Sequence, residues 1–300
     1  MIYDTFTFFN ELELLELRLN ELAGVVDKFV LVEATRTFTN QPKPLFYWEN
    51  RARFAAFADR IIHVVVKDLP ADPNPWVVER FQRNSIGRGL VNCRPDDWVL
   101  VSDLDEMPRA TVVERLSREI PYRDNAFSNA IHAALISKPV TNIFHRRGFR
   151  RRLRLNHPFV WRFQHTIYRY FMNCKSVEPP FSYGTVMLRY RDFSAAEEMR
   201  HSGYKTVPDA GWNFTWMGGV DRILNKIQSF SHQEYNKPEL TDPARIISLI
   251  ENGSYLFGDS NKLKFVPIND TFPRYFLDHQ DKYAAWIKPV RAAGISFSQG

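Results

Sequence analysis

Cysteine is nearly absent from this chain of 300 residues. There are two, Cys93 and Cys174, with no Cys-x-x-Cys pair and no Cys/His spacing of the zinc-ligand kind. That removes disulfide scaffolds and structural zinc from consideration and leaves two ordinary buried thiols as the expectation. Long apolar runs are missing too. None approaches the ~20 residues that a membrane-spanning helix needs. No basic segment with an apolar core precedes the first strand-like run, so no signal peptide is read and a cytosolic protein is expected. Internal repeats, low-complexity tracts and an obvious linker are absent, which excludes solenoids and arrays and favours one compact unit over residues 1–300. Charge of one sign is only mildly in excess, at +6. This balance suits an anionic small molecule, a membrane surface or nucleic acid, without choosing among them.

What is present is an alternation. Hydrophobic residues make up 44% of the chain, enough at this length for a sizeable core. Strands are expected over Ile2 to Phe9, Asp27 to Glu33, Ile61 to Lys67 and Asp97 to Ser102, because each is a short run rich in apolar residues. Between them Leu12, Leu15, Leu19 and Leu22 recur at helical spacing behind a possible Asn10 cap. Asn50 to Asp59 reads as a short helix. Asn74-Pro75 reads as a cap followed by proline at the first helical position of a helix running to about Leu90. Pro108 is expected to open a further helix, and Phe38 to Pro44 a loop. Strands that are apolar throughout imply a mostly parallel sheet covered on both faces by helices, an α/β domain of Rossmann-like form. Such sheets bind ligands beyond the carboxyl ends of their strands.

The sharpest local signal lies there. The fourth strand stops at Ser102-Asp103-Leu104-Asp105-Glu106. Two carboxylates two residues apart can face one hard cation, Mn²⁺ or Mg²⁺, which takes oxygen ligands and shares them with phosphates. Two other readings stay open at this point. One is an acidic turn capping the helix at Pro108. The other is a phosphohydrolase with Asp103 as nucleophile, although such enzymes place Thr or Val where Met107 stands. Further along, six arginines crowd positions 146–154, and aromatics follow from Phe159 to Phe171. Tyr183 to Tyr190 reads as a strand. A Gly/Trp-rich turn from Asp209 leads into a helix carrying Ile223, Leu224 and Ile227. Asp242-Pro243 starts another helix, which Gly253 can end.

Several segments taken together resemble glycosyltransferase family 17. They are YDTFTFFNELELLELRLNEL (Tyr3 to Leu22), VDKFVLVEATRTFTNQPKPL (Val26 to Leu45), ERFQRNSIGRGL (Glu79 to Leu90), DDWVLVSDLDEMPR (Asp96 to Arg109) and DAGWNFTWMGGVDRILNKIQSFSHQEYN (Asp209 to Asn236). The resemblance implies a GT-A type fold, with residues 1–120 as the nucleotide-sugar-binding half and 121–300 as the acceptor-binding half. It also implies a UDP-sugar donor, UDP-GlcNAc for the characterised members, a glycan or glycolipid acceptor, and inversion at the anomeric carbon. Animal members carry a membrane anchor. This chain shows none, so it is similar to the soluble relatives, with peripheral membrane contact as a further possibility and no nucleic acid.

Roles follow from that resemblance. Asp105 is expected on the metal, Asp103 on its water shell or the ribose, and His232 as a third ligand. Glu106 is a weaker alternative ligand. Glu33, Arg36, Thr37, Lys43 and Arg83 are expected at the nucleotide, although Glu33 can equally pair with Arg36, and Arg83 can buttress the Asp-Leu-Asp turn. Trp212 and Trp216 are expected to stack on the acceptor, since indoles pack on sugar faces. Inversion by single displacement needs a general base, for which Asp221 is preferred and Asp209 is second. Besides a transferase, a phosphohydrolase and a non-catalytic glycan or nucleic-acid binder remain as competing functions.

Overall fold

The computed structural model describes residues 1–119, 160–177, 184–201, 205–257 and 263–290. In chain order the strands are β1 Ile2–Phe8, β2 Lys28–Ala34, β3 Ile61–Val66, β4 Trp98–Asp103, β5 Glu106–Pro108, β6 Trp161–Arg169, β7 Cys174–Ser176, β8 Val186–Arg189, β9 Lys205–Thr215 and β10 Leu263–Phe265. The helices are α1 Leu12–Leu22, α2 Phe46–Glu49, α3 Pro75–Asn84, α4 Ala110–Glu119, α5 Ala196–His201, α6 Gly219–Ser229, α7 Pro238–Thr241, α8 Pro243–Glu251 and α9 Arg274–Asp278.

One sheet runs in the order β10-β7-β6-β8-β4-β1-β2-β3, with β9 beside β6 and β5 on β9. The block β4-β1-β2-β3 is parallel, as the apolar runs imply. Strand β9 is parallel to β6, while β8 joins β4 and β6 antiparallel. Side chains alternate between the two faces, as a period of two requires. Phe6, Phe29, Leu31 and Leu100 pack with the leucines of α1. Val30, Val32, Val99 and Val101 pack with Val78 of α3 and with Ala196 and Met199 of α5. A smaller core joins α6 to α8 through Ile223, Ile227, Ile246 and Ile250.

Most expected elements stand, and the exceptions have physical reasons. Asn74 caps α3 through the Trp76 N–H, but the helix gives way at Ser85 to a 3₁₀ turn. Asn10 does not cap α1 with its side chain. The expected helix is present but starts at Ala110, just past Pro108. Pro108 itself ends β5, which pairs antiparallel with Glu106 opposite Asn213 and Pro108 opposite Gly211. Asp209 to Thr215 of the Gly/Trp block is accordingly the end of strand β9, and only Trp216 to Gly218 turn into α6. Gly211 is required there, because a Cβ would stand 2.3 Å from the Met107 carbonyl and 2.6 Å from the His165 ring. Trp161, Phe163 and Tyr168 form β6 rather than a binding surface, with Phe163 and Tyr168 in the core. Cys174 is buried, Cys93 half-buried, and both are free. Among the described residues no helix is long and apolar enough to cross a membrane. The arginine cluster at 146–154 lies outside the described residues.

A buried cation fixes the turn after β4. Arg18 of α1 is fully buried and bonds both carboxylate oxygens of Asp4 on β1, at 2.8 and 2.7 Å. Its Nη1 donates to the carbonyls of Asp103 and Leu104 at 3.0 Å and of Glu106 at 2.9 Å. Its Nη2 reaches the Ser102 hydroxyl. A planar guanidinium suits this task because its donors leave in fixed directions. Removing one member of a buried pair leaves an uncompensated charge, at about 3–5 kcal/mol. Arg18→Met is therefore expected to lose about that much unfolding free energy in urea titration, and Arg18→Met/Asp4→Leu to recover part of it.

Candidate active site

The carboxyl ends of β1 and β4 open on a cleft of about 780 Å³, within the range of roughly 300–1,000 Å³ usual for small-molecule sites. Asp103, Leu104 and Asp105 line its base. Around it stand Arg36, Thr37 and Lys43 from the loop after β2, Trp76, Glu79 and Arg83 from α3, and Glu197 and Arg200 from α5. Lys226 of α6 and the aromatic residues Trp216, Phe230, Tyr235 and Phe257 complete it.

The loop after β2 is strapped to the end of α6. The Phe38 N–H donates to the Ser229 carbonyl at 3.2 Å, and the Thr39 hydroxyl to the Gln228 carbonyl at 3.1 Å. Thr37 also caps its own turn, accepting from the Gln41 N–H. These bonds bring the second strand's loop and the C-terminal block, about 190 residues apart in sequence, to one cleft. The aromatic side is continuous. Tyr235 stacks on Phe257 with ring centres 4.1 Å apart, and Trp216 meets Phe257 at 5.3 Å and Phe230 at 5.5 Å.

The charges around the Asp103 turn are matched in pairs. Asp103 accepts from the Thr7 hydroxyl at 3.1 Å and lies 3.3 Å from both Arg83 and Arg200. Burial pushes its carboxyl upward, but the guanidinium groups of Arg200 and Arg83 outweigh that and hold it well below the usual carboxylate range. Glu106 is clasped by Arg200 and accepts from the Asp103 N–H at 2.9 Å. Burial raises its carboxyl, against the pull of Arg200. Arg83 also bonds Glu79 and Glu197. The Asp105 carboxylate instead takes an ammonium, Lys226 Nζ at 3.1 Å, with Glu11 3.8 Å from the same nitrogen.

Oxygen donors at Asp103 and Asp105 suit a hard divalent cation chemically, and Asp105 fits best. Its partner is a flexible lysine, whereas both oxygens of Asp103 already carry guanidinium bonds. His232 does not complete the set. Its ring meets Trp76 edge-on at 4.5 Å and its Nδ1 lies 2.6 Å from Glu234. Among the described residues no three His, Cys, Asp or Glu stand together as a metal site. A cation there would draw its other ligands from water and phosphate, as Mg²⁺ commonly does.

Other expected residues divide. Arg36, Thr37, Lys43, Arg83, Asp103, Asp105 and Trp216 line the cleft. Glu33 does not. It is fully buried, bonded to the Tyr47 N–H and to His63 at 3.0 Å, with Lys43 3.8 Å away, so its partner is not Arg36. Trp212 is also turned into the core, its indole donating to the Thr271 carbonyl at 2.9 Å under the Arg109 guanidinium. An indole so covered offers no face to an acceptor. Asp209 is exposed and pairs with Arg109 at 2.8 Å. Asp221 is exposed on the first turn of α6. Neither lines the cleft, so neither reaches a hydroxyl bound there in this conformation. Arg200 and Lys226 were not foreseen. Their signal is a cation set beside the apolar stripe of its helix, Arg200 after Met199 and Lys226 before Ile227, but only the fold shows what each faces.

A sheet of this order, with parallel strands ending at paired carboxylates beside a cationic and aromatic-walled cleft, defines the α/β class that binds its ligand past the strands' carboxyl ends. Sequence comparison narrows the class. Residues 1–133 match Glycosyltransferase family 17, so the resemblance holds over the segment that builds β1 to β5. A β-1,4-mannosyl-glycoprotein 4-β-N-acetylglucosaminyltransferase from Homo sapiens is 30% identical over 107 residues, covering 33% of this chain and 20% of that protein. The proteins of the same name from Rattus norvegicus and Mus musculus are 30% and 29% identical over the same coverage. The matched stretch thus spans about a fifth of the length of these relatives.

Directly behind β5 lies His165, fully buried, with neither ring nitrogen bonded. Burial, together with the charges of Arg18, Arg200 and Arg109, drives its pKa from 6.5 down to about 3. The unfolded chain therefore binds a proton near pH 6.5 that the folded chain refuses until about pH 3, so stability is full above pH 6.5 and falls as pH drops through that window. The slope is at most about 1.4 kcal/mol per pH unit. Urea denaturation between pH 7 and 4 should show this loss, and His165→Phe should flatten it.

Proposed function

We propose that the protein is an inverting, metal-dependent glycosyltransferase that moves a sugar, GlcNAc from UDP-GlcNAc, to a hydroxyl of a glycan or glycoconjugate by single displacement. The observation that carries the reading is Asp103-Leu104-Asp105 at the carboxyl end of β4, inside the family-matched segment and on the base of the cleft. A bound Mn²⁺ or Mg²⁺ would neutralise charge on the departing diphosphate. Asp105 would hold it. Arg83 and Arg200 fix Asp103 in one orientation, ready to accept from the ribose or from metal-bound water. Arg36, Thr37 and Lys43 face the nucleotide from the β2 loop.

The 42%-exposed Trp76, with Tyr235, offers ring surface to the acceptor, while Trp216 lines the cleft from a buried position behind them. The acceptor's proton must pass to a carboxylate within reach. Glu11, Glu79 and Glu197 line the cleft and replace Asp221 and Asp209 as the proposed bases. The phosphohydrolase alternative is disfavoured by Asp103 itself. Ion pairs to Arg83 and Arg200 lower the basicity of this carboxylate, and with it its nucleophilicity, while leaving it able to accept a hydrogen bond.

UDP together with Mn²⁺ should raise the melting temperature more than either alone, and Asp105→Ala should abolish the joint effect. No joint shift in the wild type would remove the transferase reading. Of Glu11→Gln, Glu79→Gln and Glu197→Gln, one should keep UDP binding while transfer to acceptor falls by about 10²-fold or more, the usual contribution of a general base. If all three retain transfer, the base lies elsewhere.

A further inference from the structure

Lys226 occupies the face of Asp105 that a divalent cation would need. Its Nζ lies 3.1 Å from Asp105 Oδ2 and 3.8 Å from Glu11 Oε1, with the Trp216 ring centre 5.4 Å away. A metal ion bonds a carboxylate oxygen at about 2.1 Å. An ammonium and a dication held on one carboxylate at such distances repel strongly in a half-buried site. The two arginines at the turn are committed elsewhere: Arg83 to Glu79, Glu197 and Asp103, and Arg200 to Asp103 and Glu106. Lys226 is held by Asp105 and Glu11 from the end of a flexible four-carbon stem.

We propose that Lys226 is a displaceable counter-cation that closes Asp105 to free divalent cations, so that metal enters only together with a diphosphate, which takes over the ammonium. This deepens the transferase reading and rests on it. The ammonium balances Asp105 and Glu11. A dication arriving alone must break that pair and leave Lys226 beside a like charge. A dication arriving with a diphosphate brings negative oxygens to which the lysine stem can swing. The two ligands are thereby coupled, and the coupling is reciprocal: diphosphate raises metal affinity by the same factor that metal raises diphosphate affinity.

The test is Mn²⁺ binding by the full chain, followed by electron paramagnetic resonance of free Mn²⁺, with and without UDP. Wild type should bind Mn²⁺ weakly alone and about tenfold or more tightly with UDP. Lys226→Met should bind Mn²⁺ alone about tenfold more tightly than wild type, and UDP should tighten it by a smaller factor than in wild type. Lys226→Arg, which keeps the charge, should behave as wild type and controls for loss of fold. Lys226→Met binding Mn²⁺ no more tightly than wild type, while wild type still shows the UDP effect, overturns the counter-cation role and leaves the transferase reading intact. Absence of any Mn²⁺ binding with UDP in wild type overturns both.

Discussion

The fully buried Arg18–Asp4 pair is the interaction on which the site depends. Asp4 sits in the middle of β1, paired on one side to β2 and on the other to β4, and no water reaches it. Its charge is tolerable only because a guanidinium covers both oxygens. The same guanidinium then bonds three carbonyls of the segment Asp103 to Glu106. A turn between two strands normally leaves its carbonyls to solvent. Here they converge on one buried cation, which fixes where the Asp103 and Asp105 side chains leave the backbone. Preorganisation of this kind is what lets charged groups act without reorganising when a ligand arrives.

Above that anchor, the charges of the cleft are paired with one another. Arg83 and Arg200 crowd Asp103 and Glu106, and Lys226 answers Asp105. On the proposed reading, a nucleotide diphosphate with its cation would enter as a nearly neutral package, and so would exchange ion pairs instead of adding an unmatched charge. The helices that carry these residues come from distant parts of the chain. Strand β9 explains how. It lies parallel to β6 and lends its far end to β5, which places Asn213, Thr215 and Trp216 beside the Asp-Leu-Asp turn, with α6 directly after.

Much of this was legible in the sequence. The parallel block, its carboxyl-end site and Asp103-Leu104-Asp105 follow from apolar runs bounded by turn signals, which are local properties. The unforeseen strand pairing has one cause. Pro108 and the Asp209 to Trp216 block were read by local rules for proline and glycine, yet they pair with each other across about 100 residues, and a strand of three residues has no periodicity to detect. Trp212 and Trp216 look alike in sequence. Trp212 lies within β9 and turns into the core, while Trp216 follows the strand's end with a positive φ of 63° and lines the cleft.

Sequence by itself determined the order of the strands' apolar cores, the position of the acidic turn and the family to which the first 133 residues are similar, because each is written in contiguous residues. Only the tertiary structure decided which charges meet. That Arg18 carries the turn, that Arg83 and Arg200 hold Asp103, that Lys226 faces Asp105 and that Glu33, Trp212, Asp209 and Asp221 stand away from the cleft are matters of distance between remote segments. Electrostatic energy falls with separation in space and not along the chain. The acidic turn was therefore readable as a motif, whereas its partners became visible only when the sheet brought α1, α3, α5 and α6 around it.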